Sequence, residues 1–143
     1  MGVSRFEDLR FWQEAKALCD DVGGVIRRPD LERDAPLRDQ LNRAVISTMA
    51  NIAEGFLRGR RKEFIQFLRI ASASNGEVRA LLHAAQGRRH LTPAECQRLV
   101  ANTNSIGRML RRLIETLERP TQGVTKSSGH QDPSAWCFVL GAW

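Results

Sequence analysis

Apolar residues recur along most of the chain at spacings of three and four, and no stretch alternates apolar with polar residues as a half-buried strand does. The pattern predicts an all-α protein. A first helical segment runs from about Ser4 to Arg28. Ser4 and Glu7 are spaced as a capping box, an apolar stripe passes through Phe11, Trp12, Ala15, Leu18, Cys19, Val22 and Ile26, and Pro29 ends it. A second runs from about Pro36, suited to a first helical turn, to Gly55, suited to the left-handed residue beyond a helix end. A third spans about Arg60 to Gly87 on a stripe of Phe64, Phe67, Leu68, Ala71, Asn75, Val78, Leu82 and Ala85. The fourth opens at Thr92-Pro93-Ala94-Glu95, where cap, first-turn proline and capping-box glutamate coincide. It continues through Leu99, Thr103, Ile106, Leu110, Leu113 and Leu117 to Pro120.

Four helices of this length joined by links of roughly four to eight residues pack as antiparallel neighbours, which predicts an up-down four-helix bundle over residues 1–119. After Pro120 the composition turns to Thr, Gln, Gly, Ser and Lys, then to an apolar end with Trp136, Cys137, Phe138 and Trp143. Residues 120–143 read as a flexible tail. Its tryptophans fit a partner-binding peptide, or a segment that docks on the bundle or stays unordered.

The second segment carries the widest apolar surface. At 100° per residue, Leu37, Leu41, Ala44, Val45, Thr48 and Ile52 form one stripe, and Ile46, Met49 and Ala53 extend it to an arc of about 200°, where one buried face needs about 100°. Such an arc is expected to be covered on two sides, and it predicts self-association. The remaining arc holds Gln40, Arg43, Ser47, Asn51 and Glu54, a polar ladder that is either a solvated face or a contact between helices or subunits. Glu54 sits in the last turn, where the helix dipole disfavours an anion, so a cation is expected beside it; Arg58, Arg61 and Lys62 are the nearby candidates.

Charge changes the picture next. The 143 residues carry a formal net charge of +6, unevenly placed. Residues 1–54 hold 8 basic and 10 acidic groups, whereas residues 55–119 hold 13 and 5, an excess of eight. Within the third segment Arg61, Arg69, Arg79 and His83 share an arc of about 80°, with Ser72 and Gly76 between them, and Arg58, Arg60 and Lys62 thicken its start. Arg108, Arg112 and Arg119 line one side of the fourth. A face of this kind is either solvated or binds phosphates. Gly76 inside a helix costs about 1 kcal/mol relative to Ala, a cost accepted where something approaches the backbone closely.

The 42% apolar and 27% charged composition suits a globular protein, no window approaches the roughly 18 unbroken apolar residues of a membrane span, and the N-terminus lacks an apolar signal core. The expected address is the cytoplasm. Cys19, Cys96 and Cys137 are too few and scattered for a disulfide framework, and Cys19 and Cys96 fall on apolar stripes as core residues. No glutamate has a histidine three residues on, as a di-iron bundle needs, and His83, His90 and His130 have no ligand spacing. No phosphate-cradling glycine loop or nucleophile elbow occurs. The reading is a non-enzyme without metal or cofactor.

Phe6-Glu7-Asp8-Leu9, Trp12-Gln13 and Ala15, then Gln40-Leu41, Arg43-Ala44, Asn51-Ile52-Ala53-Glu54-Gly55 and the run Lys62 to Ala71 together resemble the four-helix bundle family of 23S rRNA intervening-sequence proteins, over residues 5 to about 119. One departure is Ala73-Ser74-Asn75-Gly76-Glu77, where the family often has a Gly-Ser pair and an acidic residue; Gly76 is the addition. The resemblance implies an antiparallel bundle assembled as a ring-shaped homopentamer without catalytic activity. Distant relatives are accessory subunits of diversity-generating retroelements that bind nucleic acid and a reverse transcriptase. Residues and resemblance together predict an oligomeric bundle that binds nucleic acid, RNA foremost, through Arg58, Arg60, Arg61, Lys62, Arg69 and Arg79. The competing expectation is a protein-interaction scaffold, with a partner such as a reverse transcriptase on the same surface.

Overall fold

The computed structural model describes residues 2–120, so the expectations for the tail and its tryptophans lie outside the described residues. A 3-10 turn at Phe6–Asp8 precedes α1 (Arg10–Val25), a short α2 (Pro29–Glu32), α3 (Ala35–Leu57), α4 (Arg61–Gly87) and α5 (Pro93–Glu118). The architecture is all-α, with no strand among the described residues. α3 packs between α1 and α4, α4 packs on α5, and α1 returns to α5, so the four long helices close around one core. Their directions follow from pairs along each seam. Gly55 meets Phe64 and Phe67 while Ser47 bonds Ser74, and Arg61 reaches Leu117 while Asn75 reaches Thr103, so both α3–α4 and α4–α5 are antiparallel.

The core is built from the predicted stripes: Phe11, Leu18, Leu41, Ile52, Phe64, Leu68, Leu82, Leu99, Ile106 and Leu110 are fully buried. Each such side chain contributes about 1.5–3 kcal/mol of burial, against which the ordering of the chain must be set. α5 starts as its sequence demands. The Glu95 N–H donates to Thr92 Oγ1 at 3.2 Å, the Thr92 N–H donates to Glu95 Oε2 at 2.9 Å, and Pro93 occupies the first turn. Arg28 adds a bond to Glu95 Oε1 at 2.7 Å; this guanidinium and then the Thr92 amide hold the Glu95 carboxyl at about 2.

Three local expectations are corrected. The Ser4–Glu7 capping box does not form: Glu7 pairs with Arg5, and α1 starts only after Leu9, which carries no side-chain cap. Burial of Leu9 and the edge contact of Phe6 on Trp12, with centroids 5.0 Å apart, fix the entry of the chain instead. α1 stops at Val25, short of the expected Arg28, and Pro29 does not end it but opens α2, whose Leu31 is buried in the core. Finally, Gly55 is not a left-handed cap. α3 runs on to Leu57 and the left-handed glycine is Gly59, at φ +67°. Gly55 is instead the point where α4 lies closest: a Cβ there would sit 2.6 Å from Phe67 Cβ and 3.0 Å from Phe64 Cδ2. Its missing side chain is a packing requirement.

The apolar arc of α3 is only partly covered by its own bundle. Leu37, Leu41, Ala44, Val45, Thr48 and Ile52 are buried and Met49 and Ala53 half-buried, but Ile46 is 43% exposed. Leu57 and, on α4, Ile70 are exposed by 70% and 44%.

Candidate nucleic-acid interface

The basic residues predicted to act together separate into two groups. The first lies where α3 gives way to α4. Arg58, in the cap position of α3, donates to Glu54 at 2.8 Å and lies over the Phe67 ring at 5.4 Å; it supplies the cation that Glu54 needs. Arg60 is 3.8 Å from Glu63. Arg61 donates to the carbonyls of Leu117, at 2.6 Å through Nε, and of Arg119, at 2.7 Å, and so caps the C-terminal end of α5, where cations are favoured. Arg69 pairs with Glu118. Lys62 is exposed and has no carboxylate within ion-pair distance among the described residues.

The second group lines a groove of about 240 Å³ between α4 and α5. Ser72, Gly76 and Arg79 come from α4, and Asn104, Gly107, Arg108 and Arg111 from α5. The helix period brings these residues to one seam, and the glycines keep it open: a Cβ on Gly76 would meet nothing within 4 Å, and one on Gly107 would lie 3.4 Å from Asn75 Nδ2. Arg79 donates to a neutral acceptor, Asn104 Oδ1, at 3.0 Å. None of Arg79, Arg108 and Arg111 has a carboxylate within 4.0 Å among the described residues. Three guanidiniums around one depression raise a positive potential that anions of a partner can neutralise.

The polar ladder of α3 also divides. Ser47 Oγ lies 2.9 Å from Ser74 Oγ on α4, and Asn51 Nδ2 donates to the Ser47 carbonyl at 2.8 Å and to its Oγ at 3.0 Å. Glu54 is paired within α3 to Arg58. Gln40 and Arg43 are exposed, beside Ile46 and Glu77 in a shallow depression.

The family model of the 23S rRNA-intervening sequence protein matches residues 7–112. The chain belongs to this family. A crystal structure of a protein of unknown function from the S23 ribosomal protein family of Bacteroides thetaiotaomicron superposes with a TM-score of 0.67 at 18% identity, covering 73% of this chain and 98% of that one. That likeness concerns the fold. No functionally curated protein matches the chain.

In this 23S rRNA-intervening sequence family member, arginines of α4 and α5 meet at one seam. Among the described residues no group of three His, Cys, Asp or Glu side chains could hold a metal, and no helix is long and apolar enough to cross a membrane. Burial pushes the Cys19 and Cys96 thiols up, away from the thiolate a nucleophile needs. Arg108 lies on the basic side of the fourth predicted helix, and Arg111 is not among the residues that the sequence singles out. Their position one turn apart, following Gly107, is the signal that would have found them.

Proposed function

We propose that this protein is a non-catalytic, oligomeric nucleic-acid-binding bundle, with RNA as the favoured partner, that acts as an accessory factor through phosphate neutralisation. The observation that carries the reading is the set of guanidiniums at Arg79, Arg108 and Arg111, none with a carboxylate within 4.0 Å among the described residues, in a block with excess positive charge. Arg79 and Lys62 act from the originally expected set. Arg58, Arg60, Arg61 and Arg69 act chiefly within the protein, since each must leave an internal partner to meet a phosphate. No aromatic side chain lines the groove, so stacking on bases has no platform there and backbone contact dominates. Copies of the chain associate through the uncovered apolar side of α3 and α4 at Ile46, Leu57 and Ile70, and a ring of five is the assembly that the family resemblance implies. Repetition of the groove around such a ring multiplies a weak contact.

The same exposed apolar residues favour a second reading, a scaffold that docks a protein partner such as a reverse transcriptase. Binding of a labelled structured RNA followed across a salt series separates the two. Nucleic-acid binding predicts that log affinity falls linearly and steeply with log salt; no binding at low salt would give the scaffold first place.

A further inference from the structure

At the end of the bundle where α4 turns into α5, a histidine is held between two acids. The His90 side chain is 14% exposed; its Nδ1 lies 3.3 Å from Asp30 Oδ2 in α2, and its Nε2 lies 3.0 Å from Asp34 Oδ2, just before α3. The chain is bent to place the ring there. Past α4 the Arg89 N–H donates to the Gln86 carbonyl and the His90 N–H to the Ala85 carbonyl, both at 2.9 Å, while Arg89 takes φ +64°, a left-handed conformation that normally falls to glycine. A carboxylate only accepts and a neutral imidazole has a single N–H, so a neutral ring would set a lone pair against one of the acids. Only the imidazolium donates to both. Each acid is ionised where an imidazole titrates. Arg88, donating to Asp34 Oδ2 at 2.7 Å, and then His90 hold the Asp34 carboxyl below the usual carboxylate range. At Asp30 burial pushes upward, but the bonds from His90 and from backbone amides outweigh it. The other cations nearby are engaged elsewhere: Arg28, within electrostatic range of Asp30, bonds Glu95 of α5 at 2.7 Å, and Arg33 donates to the Pro29 carbonyl. Glu32 and Arg89 are exposed and make no ion pair among the described residues.

We propose that His90 is a proton-dependent latch: as the imidazolium it ties α2 to the α4–α5 turn, and on losing its proton it releases Asp30 and loosens α2. Asp34 is the contact that stays, because it is the shorter one, the more buried acid, and is anchored by Arg88. Asp30 has no ion-pair partner besides His90 among the described residues, so α2 is the element set free. The stability that the latch contributes is complete below about 6.5, the ordinary value of an imidazole, and is lost as pH rises past it.

The test follows nitrogen-15-labelled full-chain protein by NMR at pH values of about 5.5 and about 8, either side of the imidazole range. At the lower pH both ring nitrogens of His90 should carry protons, and at the higher only Nε2. The Glu32 and Asp34 amides, which donate to the Arg28 and Leu31 carbonyls, report on α2. Their protection against hydrogen exchange, corrected for the intrinsic effect of pH, should fall about two- to fivefold over the interval, the worth of one half-exposed ion pair. Asp30→Asn alters an exposed side chain, so it should fold as wild type, and it should make that protection independent of pH. His90→Gln should do the same, which separates this ring from His83 and His130. A single N–H on the ring at both pH values, protection that does not change with pH in wild type, or a fall that persists in either variant overturns the latch.

Discussion

The start of α4 and the middle of the α4–α5 seam carry comparable numbers of arginines and use them differently. At the start of α4, Arg58 and Arg60 face carboxylates, Arg61 faces the carbonyls that end α5, and Arg69 meets Glu118. At the seam, Arg79, Arg108 and Arg111 surround glycines, asparagines and a threonine, and none of the three has a carboxylate within 4.0 Å among the described residues. The difference teaches that charge excess alone does not locate a binding surface. What locates it is which cations remain uncompensated once helices distant in sequence have been brought together. Exposed pairs are individually weak, about 0–1 kcal/mol, so the contrast is one of availability and geometry more than of energy.

Substitutions can break this comparison, and the largest effect belongs to the packing beneath the first region. Gly55→Ala places a methyl group 2.6 Å from Phe67 Cβ, and overpacking of this kind costs about 1–3 kcal/mol, so the melting temperature should drop clearly. An unchanged melting temperature would mean that α3 and α4 do not approach there. Next comes Arg61→Gln, which removes charge-assisted bonds to the end of α5 and should cost about 1–2 kcal/mol in denaturant titrations, whereas Arg111→Gln at the seam should stay within about 0.5 kcal/mol. Equal costs would erase the structural distinction between the regions. Gly76→Ala should raise stability by about 0.5–1 kcal/mol, because the new methyl meets nothing within 4 Å and the helix gains propensity. The smallest effect is on pH dependence. Glu95 is held at about 2 against an ordinary 4.5, so its contribution is complete above 4.5 and is lost as pH falls toward 2. Glu95→Gln should flatten the stability profile in that window and leave the profile above it parallel to wild type.

Much of the fold was legible because helical periodicity survives in a single sequence. The stripes of the second and fourth segments fall on buried faces of α3 and α5, and the Thr92–Glu95 cap is formed as its residues specify. Signals that depend on tertiary neighbours were not legible. Ser4 and Glu7 have cap chemistry, but burial of Leu9 decides where α1 begins. Gly55 has the composition of a helix end, yet Phe64 and Phe67, a turn or more further on, decide that it is a contact point. The site follows the same rule. Arg58 and Arg61 lie on a visibly basic stretch, and the Arg58–Glu54 pair follows from their spacing, but the partners of Arg61, the carbonyls of Leu117 and Arg119, emerge only after folding. Arg79 lies far along the chain from Arg108 and Arg111, and only the antiparallel seam joins them.

Two triple variants of equal charge test the central claim most directly: Arg58→Gln, Arg60→Gln and Arg69→Gln in one protein, and Arg79→Gln, Arg108→Gln and Arg111→Gln in the other. Each removes three positive charges per subunit, and affinity for one structured RNA is measured across a salt series. The account predicts that the seam variant loses most of its affinity and that its slope of log affinity against log salt falls by about 0.7–0.9 for each phosphate contact removed, while the first variant keeps a slope close to wild type. Equal losses in the two proteins, or a greater loss in the first, would contradict it.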